Sequence, residues 1–142
     1  MFGLTLRRFL ISWLLSSGLM IMLSLLWHGV ILNDLRNLPF HGSFFLVLTG
    51  LAYLAIGFLL NVLILNIEFN ENHFLKRALL GGALGFFIYL IVLTLGISYH
   101  TRGFEHLVID FSWQMIEQAV GGMIVNLCLN IYRRMDAIEG LE

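Results

Sequence analysis

Residues 44–67 read "FFLVLTGLAYLAIGFLLNVLILNI", a run without one charged side chain. A helix needs about 20 apolar residues to cross the hydrocarbon core of a bilayer, and this run is longer than that. Lipid offers no hydrogen bonds to the backbone, so a run of this length must pair its own N–H and C=O groups as a helix. Working outward, three further runs reach the same length: Phe9–Leu32, Ala78–Tyr99 and Leu107–Tyr132. Short segments between them hold most of the charges, including the turn-forming "NDLRNLPFHG" (33–42) around Pro39. The sequence thus predicts an all-α, integral membrane four-helix bundle. It is a single domain over 1–142, with helices at about 9–32, 44–67, 78–99 and 107–132.

Composition agrees. Of 142 residues, 59% are hydrophobic and only 12% charged, against about 25% charged in soluble domains. The net charge of −1 comes with no basic stripe to neutralise phosphates, which argues against nucleic acid as a partner. The one cysteine, Cys128, excludes an intramolecular disulfide and a multi-cysteine zinc site, and reads as small apolar filler. The lipid bilayer is the expected partner, with a homo-oligomer or a larger membrane complex as the expected assembly.

Arg7 and Arg8 ahead of an apolar run resemble a secretion signal. The run is much longer than the roughly 7–15 residues of a signal core and no small-x-small site follows it, so a retained helix is expected. Arg7, Arg8, Lys76, Arg77, Arg133 and Arg134 fall on one side of the predicted spans, and only Arg36 and Arg102 on the other. The positive-inside rule then predicts that both termini are cytoplasmic.

Helices in lipid pack through small residues and interhelical hydrogen bonds. The third run carries Ala78, Gly81, Gly82, Gly85, Tyr89 and Gly96, the second Gly50, Tyr53, Gly57 and Asn61, and the first Ser17, Ser24 and His28. These read as packing seams. Asn61 and Asn126 fall at similar depth, which predicts an amide contact between the second and fourth helices.

The fourth run is different: "LVIDFSWQMIEQAVGG" (107–122) places two acids in an apolar helix. At 100° per residue, His106, Asp110, Trp113, Glu117 and Gly121 share a sector of roughly 80°, with Gln114 at its edge. An acid at the bilayer centre costs about 2.5–3.5 kcal/mol on insertion scales, so the stripe must face the protein interior or a water-filled cavity. Counting depth from the outer helix ends predicts two polar layers. The outer one holds His28, His106, Asp110, with Ser98, Tyr99 and His100 nearby; the central one holds Glu117, Tyr53 and Tyr89, with Ser24 close to them. A protonated Glu117 can donate one hydrogen bond and accept others, and His, Asp and Glu in sequence form a candidate proton relay.

Other chemistries fit less well. His106 and Asp110 are spaced i, i+4 and could chelate a metal with His28, but that spacing is common by chance. His28 lacks a second histidine opposite it at depth for haem, as His41, His73 and His100 lie in or beside loops. Ser24, His28 and Asp110 lack the nucleophile elbow and oxyanion loop of a hydrolase. No metal and no cofactor are therefore predicted.

The stretches "WHG" (27–29), "YLAIG" (53–57), "GALGFFIY" (82–89) and "IDFSW" (109–113) resemble a family of small bacterial four-helix membrane proteins known only as a domain of unknown function. That resemblance implies a four-helix fold and no activity. The family often has an acid and an amide after the third-helix tyrosine, and a glycine after the fourth-helix tryptophan; here "LIVLTLG" has no acid and Gln114 follows Trp113. The residues favour a non-enzymatic protein that binds or passes a small ligand or ion, through Asp110 and Glu117 supported by His28, His106, Trp113, Tyr53 and Tyr89. The alternatives are an accessory subunit of a larger membrane complex and a metal-dependent membrane enzyme.

Overall fold

A computed structural model describes residues 2–33, 42–67, 74–94 and 104–139. These residues are helical almost throughout: α1 spans Phe2–Leu26 and continues into one wider π turn, Trp27–Ile31, while α2 spans Gly42–Asn66, α3 Phe74–Thr94 and α4 Phe104–Glu139. Asn33, at φ 54°, follows the π turn in the left-handed region that asparagine adopts more readily than most side chains. Pro39, Arg36, Arg102, His41, His73, Gly96, Ser98, Tyr99 and His100 lie outside the described residues.

The helices overrun the apolar runs at their charged ends. α1 already includes Arg7 and Arg8, α3 includes Lys76 and Arg77, and α4 continues past Tyr132 through Arg133 and Arg134. Charges mark where a span leaves lipid, but lysine and arginine are good helix formers and do not end the helix.

Three helical segments are long and apolar enough to cross a membrane: Leu6–Ile31, Gly42–Asn66 and Phe74–Thr94. The fourth run was expected to qualify too, and α4 is not among them. Asp110, Gln114, Glu117, Gln118, Asn126 and Asn130 reduce its apolar content. Its position explains how the fold accommodates them. α4 packs chiefly on α3 and α1 and also touches α2, whereas α2 and α3 barely meet. It is the helix the other three share.

Because α4 has neighbours on two sides, it has two buried faces. Gln118 and Gly122 turn toward α3, and Glu117, Gly121 and Val125 toward α1 and α2. The contact with α3 is close. A Cβ at Gly81 would lie 2.2 Å from the Gln118 carbonyl oxygen, one at Gly85 2.7 Å from that of Gln114, and one at Gly122 2.5 Å from that of Arg77. This small-residue approach lets two backbones pack without intervening side chains. On the other face, Met20 and Leu60 fill the space left by Gly121 and form the core with Ile64, Val125 and Tyr53. Large apolar side chains such as Leu14, Met22, Phe44, Leu51, Leu79 and Phe87 remain exposed around the outside.

Polar contacts also join α1 to α2 and α3 to α4. Ser12 donates to Asn61 Oδ1 at 2.7 Å, and Asn61 Nδ2 donates to Ser16 at 3.1 Å and to the Gly57 carbonyl at 2.8 Å. Asn61 therefore pairs with α1. The expected contact with Asn126 does not form, because Asn126 on the α3 side of α4 accepts from the buried Arg77.

Candidate functional site

Glu117 is the centre of a polar cluster assembled from three helices. It is 1% exposed, and its neighbour Gln118 is fully buried. From α2, the Tyr53 hydroxyl faces both Glu117 and Ser24 of α1. Trp113, one turn away along α4, also approaches the Glu117 carboxyl. Trp27, in the π turn, stacks flat on Trp113 with ring centroids 4.2 Å apart and planes 7° from parallel. Such wider turns recur at functional sites, since the extra residue re-aims a side chain. Here the π turn places Trp27 against Trp113 of α4, and the adjoining His28 is half-buried.

The unsatisfied atoms concentrate in this cluster. Glu117 Oε1, Trp113 Nε1, Trp27 Nε1 and both amide atoms of Gln118 are buried without a hydrogen-bond partner, as is Ser17 Oγ one level below. An unpaired buried polar atom costs about 1–3 kcal/mol, so such atoms are few in a typical fold. The indole of Trp113 and the Glu117 carboxyl share the face of α4 toward α1 and α2, whereas the Gln118 side chain lies on the other face, against Gly85 of α3.

The structure brings Trp113 and Glu117 together as the helical phase predicts, and Tyr53 beside Glu117 as the depth count predicts. Asp110 is half-buried two turns further toward the α4 N-terminus, on the same face. His106, in the first turn of α4, is exposed and does not join the buried cluster. Tyr89 is not beside Glu117. Its hydroxyl donates to the Leu107 carbonyl at 2.9 Å and its ring meets Phe111 edge-on, and ten residues of helix put Leu107 about 15 Å from Glu117 along α4. Since Gly81 meets Gln118 and Gly85 meets Gln114, the small Gly82 is level with Glu117 and Tyr89 is level with Asp110. Tyr89 instead lines an apolar cavity of about 340 Å³ with Phe86, Leu107 and Phe111.

Sequence reading missed Gln118 and the inward turn of Trp27. Gln118 lies outside the single stripe drawn on α4, and only a second buried face brings it in. Trp27 stood in the sequence as part of "WHG" at the end of the first apolar run. Arg77 read as a loop charge, and it is 2% exposed. Among the described residues no group of three or more histidine, cysteine or acidic side chains is placed to hold a metal ion. No protein-family model matches the chain, and neither the curated proteins nor the solved structures supply a match.

Proposed function

We propose that this protein crosses a bacterial inner membrane four times, with both termini in the cytoplasm, and that its Glu117 cluster binds or passes a small ligand or ion, in the simplest case a proton. The bundle supports the topology: Arg8 at the start of α1 bonds Asp136 at the end of α4, and Arg7, Lys76, Arg133 and Arg134 lie at that same end. α4 crosses as the inner helix, shielded by three apolar ones.

One observation carries the functional reading. Ser12, Asn61 and Ser16, which join α1 to α2, are bonded to one another. In the Glu117 cluster, by contrast, Glu117 Oε1 and two indole N–H groups are buried without a hydrogen-bond partner. A residue kept only for helix register would use those bonds; a residue that exchanges a proton or ligand keeps them for its cargo. An accessory role through the α3 glycines is less well supported, because Gly81 and Gly85 already lie against α4.

The test is proton entry into liposomes that hold the purified protein and a pH-sensitive dye, driven by an imposed potential. Wild type should acidify the lumen at a rate that E117Q lowers by at least about tenfold, while E117Q remains folded. Equal rates in the two, with E117L merely less stable, would make Glu117 a packing residue.

A further inference from the structure

At the charged end of the bundle, α1, α2 and α4 enclose a second cavity, of about 260 Å³. Its walls are of two kinds. Phe9, Leu65 and Leu129 form an apolar side, and Arg8, Arg133 and Asp136 a charged one. Arg8 is committed within the fold. It forks onto both oxygens of Asp136, with its Nη1 2.7 Å from Oδ2, and its guanidinium lies 5.3 Å from the Tyr132 ring centre. The hydrogen bond from Arg8 holds the Asp136 carboxyl below its ordinary range, so that carboxylate answers Arg8.

Arg133 is left as the net charge of this wall. It is exposed, and it lies near enough to the buried Arg77 for their like charges to act on each other. Arg7, Lys76 and Arg134 add exposed positive charge at the same end. A cavity with one apolar wall, one cationic wall and a surplus of positive charge is complementary to an anionic amphiphile. We infer that it seats the phosphate headgroup of an anionic phospholipid, with the phosphate at Arg133 and the glycerol along Phe9 and Leu129. The acyl chains leave past Leu65, which is 45% exposed. The volume accommodates a glycerophosphate group and excludes a whole lipid. A basic side chain at an anionic membrane surface strengthens such binding about fivefold.

This site rests on the membrane-spanning reading and is independent of Glu117. The experiment measures thermal unfolding of the purified full chain in a neutral detergent, with added phosphatidylglycerol, phosphatidylcholine or inorganic phosphate. Phosphatidylglycerol should raise the midpoint and the other two should not. R133Q should unfold at the same temperature without lipid, because the side chain is exposed, and should need about five times more phosphatidylglycerol for the same rise. An undiminished response in R133Q, or equal stabilisation by phosphatidylcholine, would overturn the site. If inorganic phosphate reproduces the effect, the site takes a soluble anion and the lipid assignment falls. Alkaline carbonate extraction of cell membranes separates the two premises: a protein released by carbonate refutes the spanning topology, whereas a retained protein with no lipid preference refutes the headgroup site alone.

Discussion

Substituting alanine at Gly81 and, separately, at its neighbour Gly82 probes the contact on which the polar cluster is built. A Cβ at Gly81 would meet the α4 backbone itself, with the Gln118 oxygen at 2.2 Å, its carbonyl carbon at 2.9 Å and the Ala119 Cα at 3.2 Å. None of these is a flexible side-chain end that can swing aside. Restoring ordinary contact requires α3 and α4 to part by about 1 Å, and a gap of that size forfeits a quarter to a half of each dispersion contact across the seam. Overpacking of this kind costs about 1–3 kcal/mol, and G81A belongs at the upper end because the obstacle is backbone. At Gly82 the nearest atoms are the Met115 oxygen at 3.7 Å and the Ala119 Cβ at 3.9 Å, an ordinary van der Waals contact. G82A should therefore stay within about 0.5 kcal/mol of wild type. Helicity followed against temperature in detergent compares the two directly, since they differ by one position and have the same chemistry. Equal midpoints for G81A and G82A would refute the close α3–α4 approach and with it the register that sets Gln118 and Glu117 in depth.

Two further outcomes follow from contacts in the half of the bundle that holds the start of α1 and the end of α4. N61L removes the acceptor of Ser12 and the donor to Ser16 and should cost about 0.6–2 kcal/mol. N66L is the control, since Asn66 is exposed and bonds only within its own helix; a loss as large as that of N61L would contradict the assigned network. D136N tests the clasp between chain ends. The folded-state carboxyl is held below its ordinary 3.8 by the Arg8 hydrogen bond, so its contribution is present above that pH and fades as pH falls through the lowered value. Wild type should unfold at a slightly higher temperature than D136N near neutrality, with the gap closing in acid below about pH 4 and shrinking in high salt. A gap that widens in acid would show that Asp136 acts through something other than its charge.

Angle about a helix axis was legible in the sequence; position along the axis was legible for Tyr53 and Ser24 and not for Tyr89. The 100° step between residues gathered Asp110, Trp113, Glu117 and Gly121 on one face, and the structure has Trp113 and Glu117 facing α1 and α2 together. That angle is a local property of one helix. Tyr89 failed because its depth was counted from the outer ends of the apolar runs, whereas the glycine contacts slide α3 along α4 until Gly82, two turns from Tyr89, is level with Glu117. His106 shares the angular face of Asp110, but it sits in the first turn of α4, and phase alone does not report exposure.

The sequence by itself determined the all-helical class, the long apolar segments and the one helix whose polar residues demanded company. Uninterrupted apolar runs leave the backbone no other way to pair its polar groups. Only the tertiary structure decided that α4 sits among the other three, that it therefore buries two faces, and that Gln118 joins Glu117 as a buried polar neighbour. It also set the sliding register of α3 against α4, which places Gly82 level with Glu117 and sends Arg77 inward to Asn126. That register depends on where Gly81, Gly85 and Gly122 let two backbones touch, a steric fit between surfaces that neither helix specifies alone.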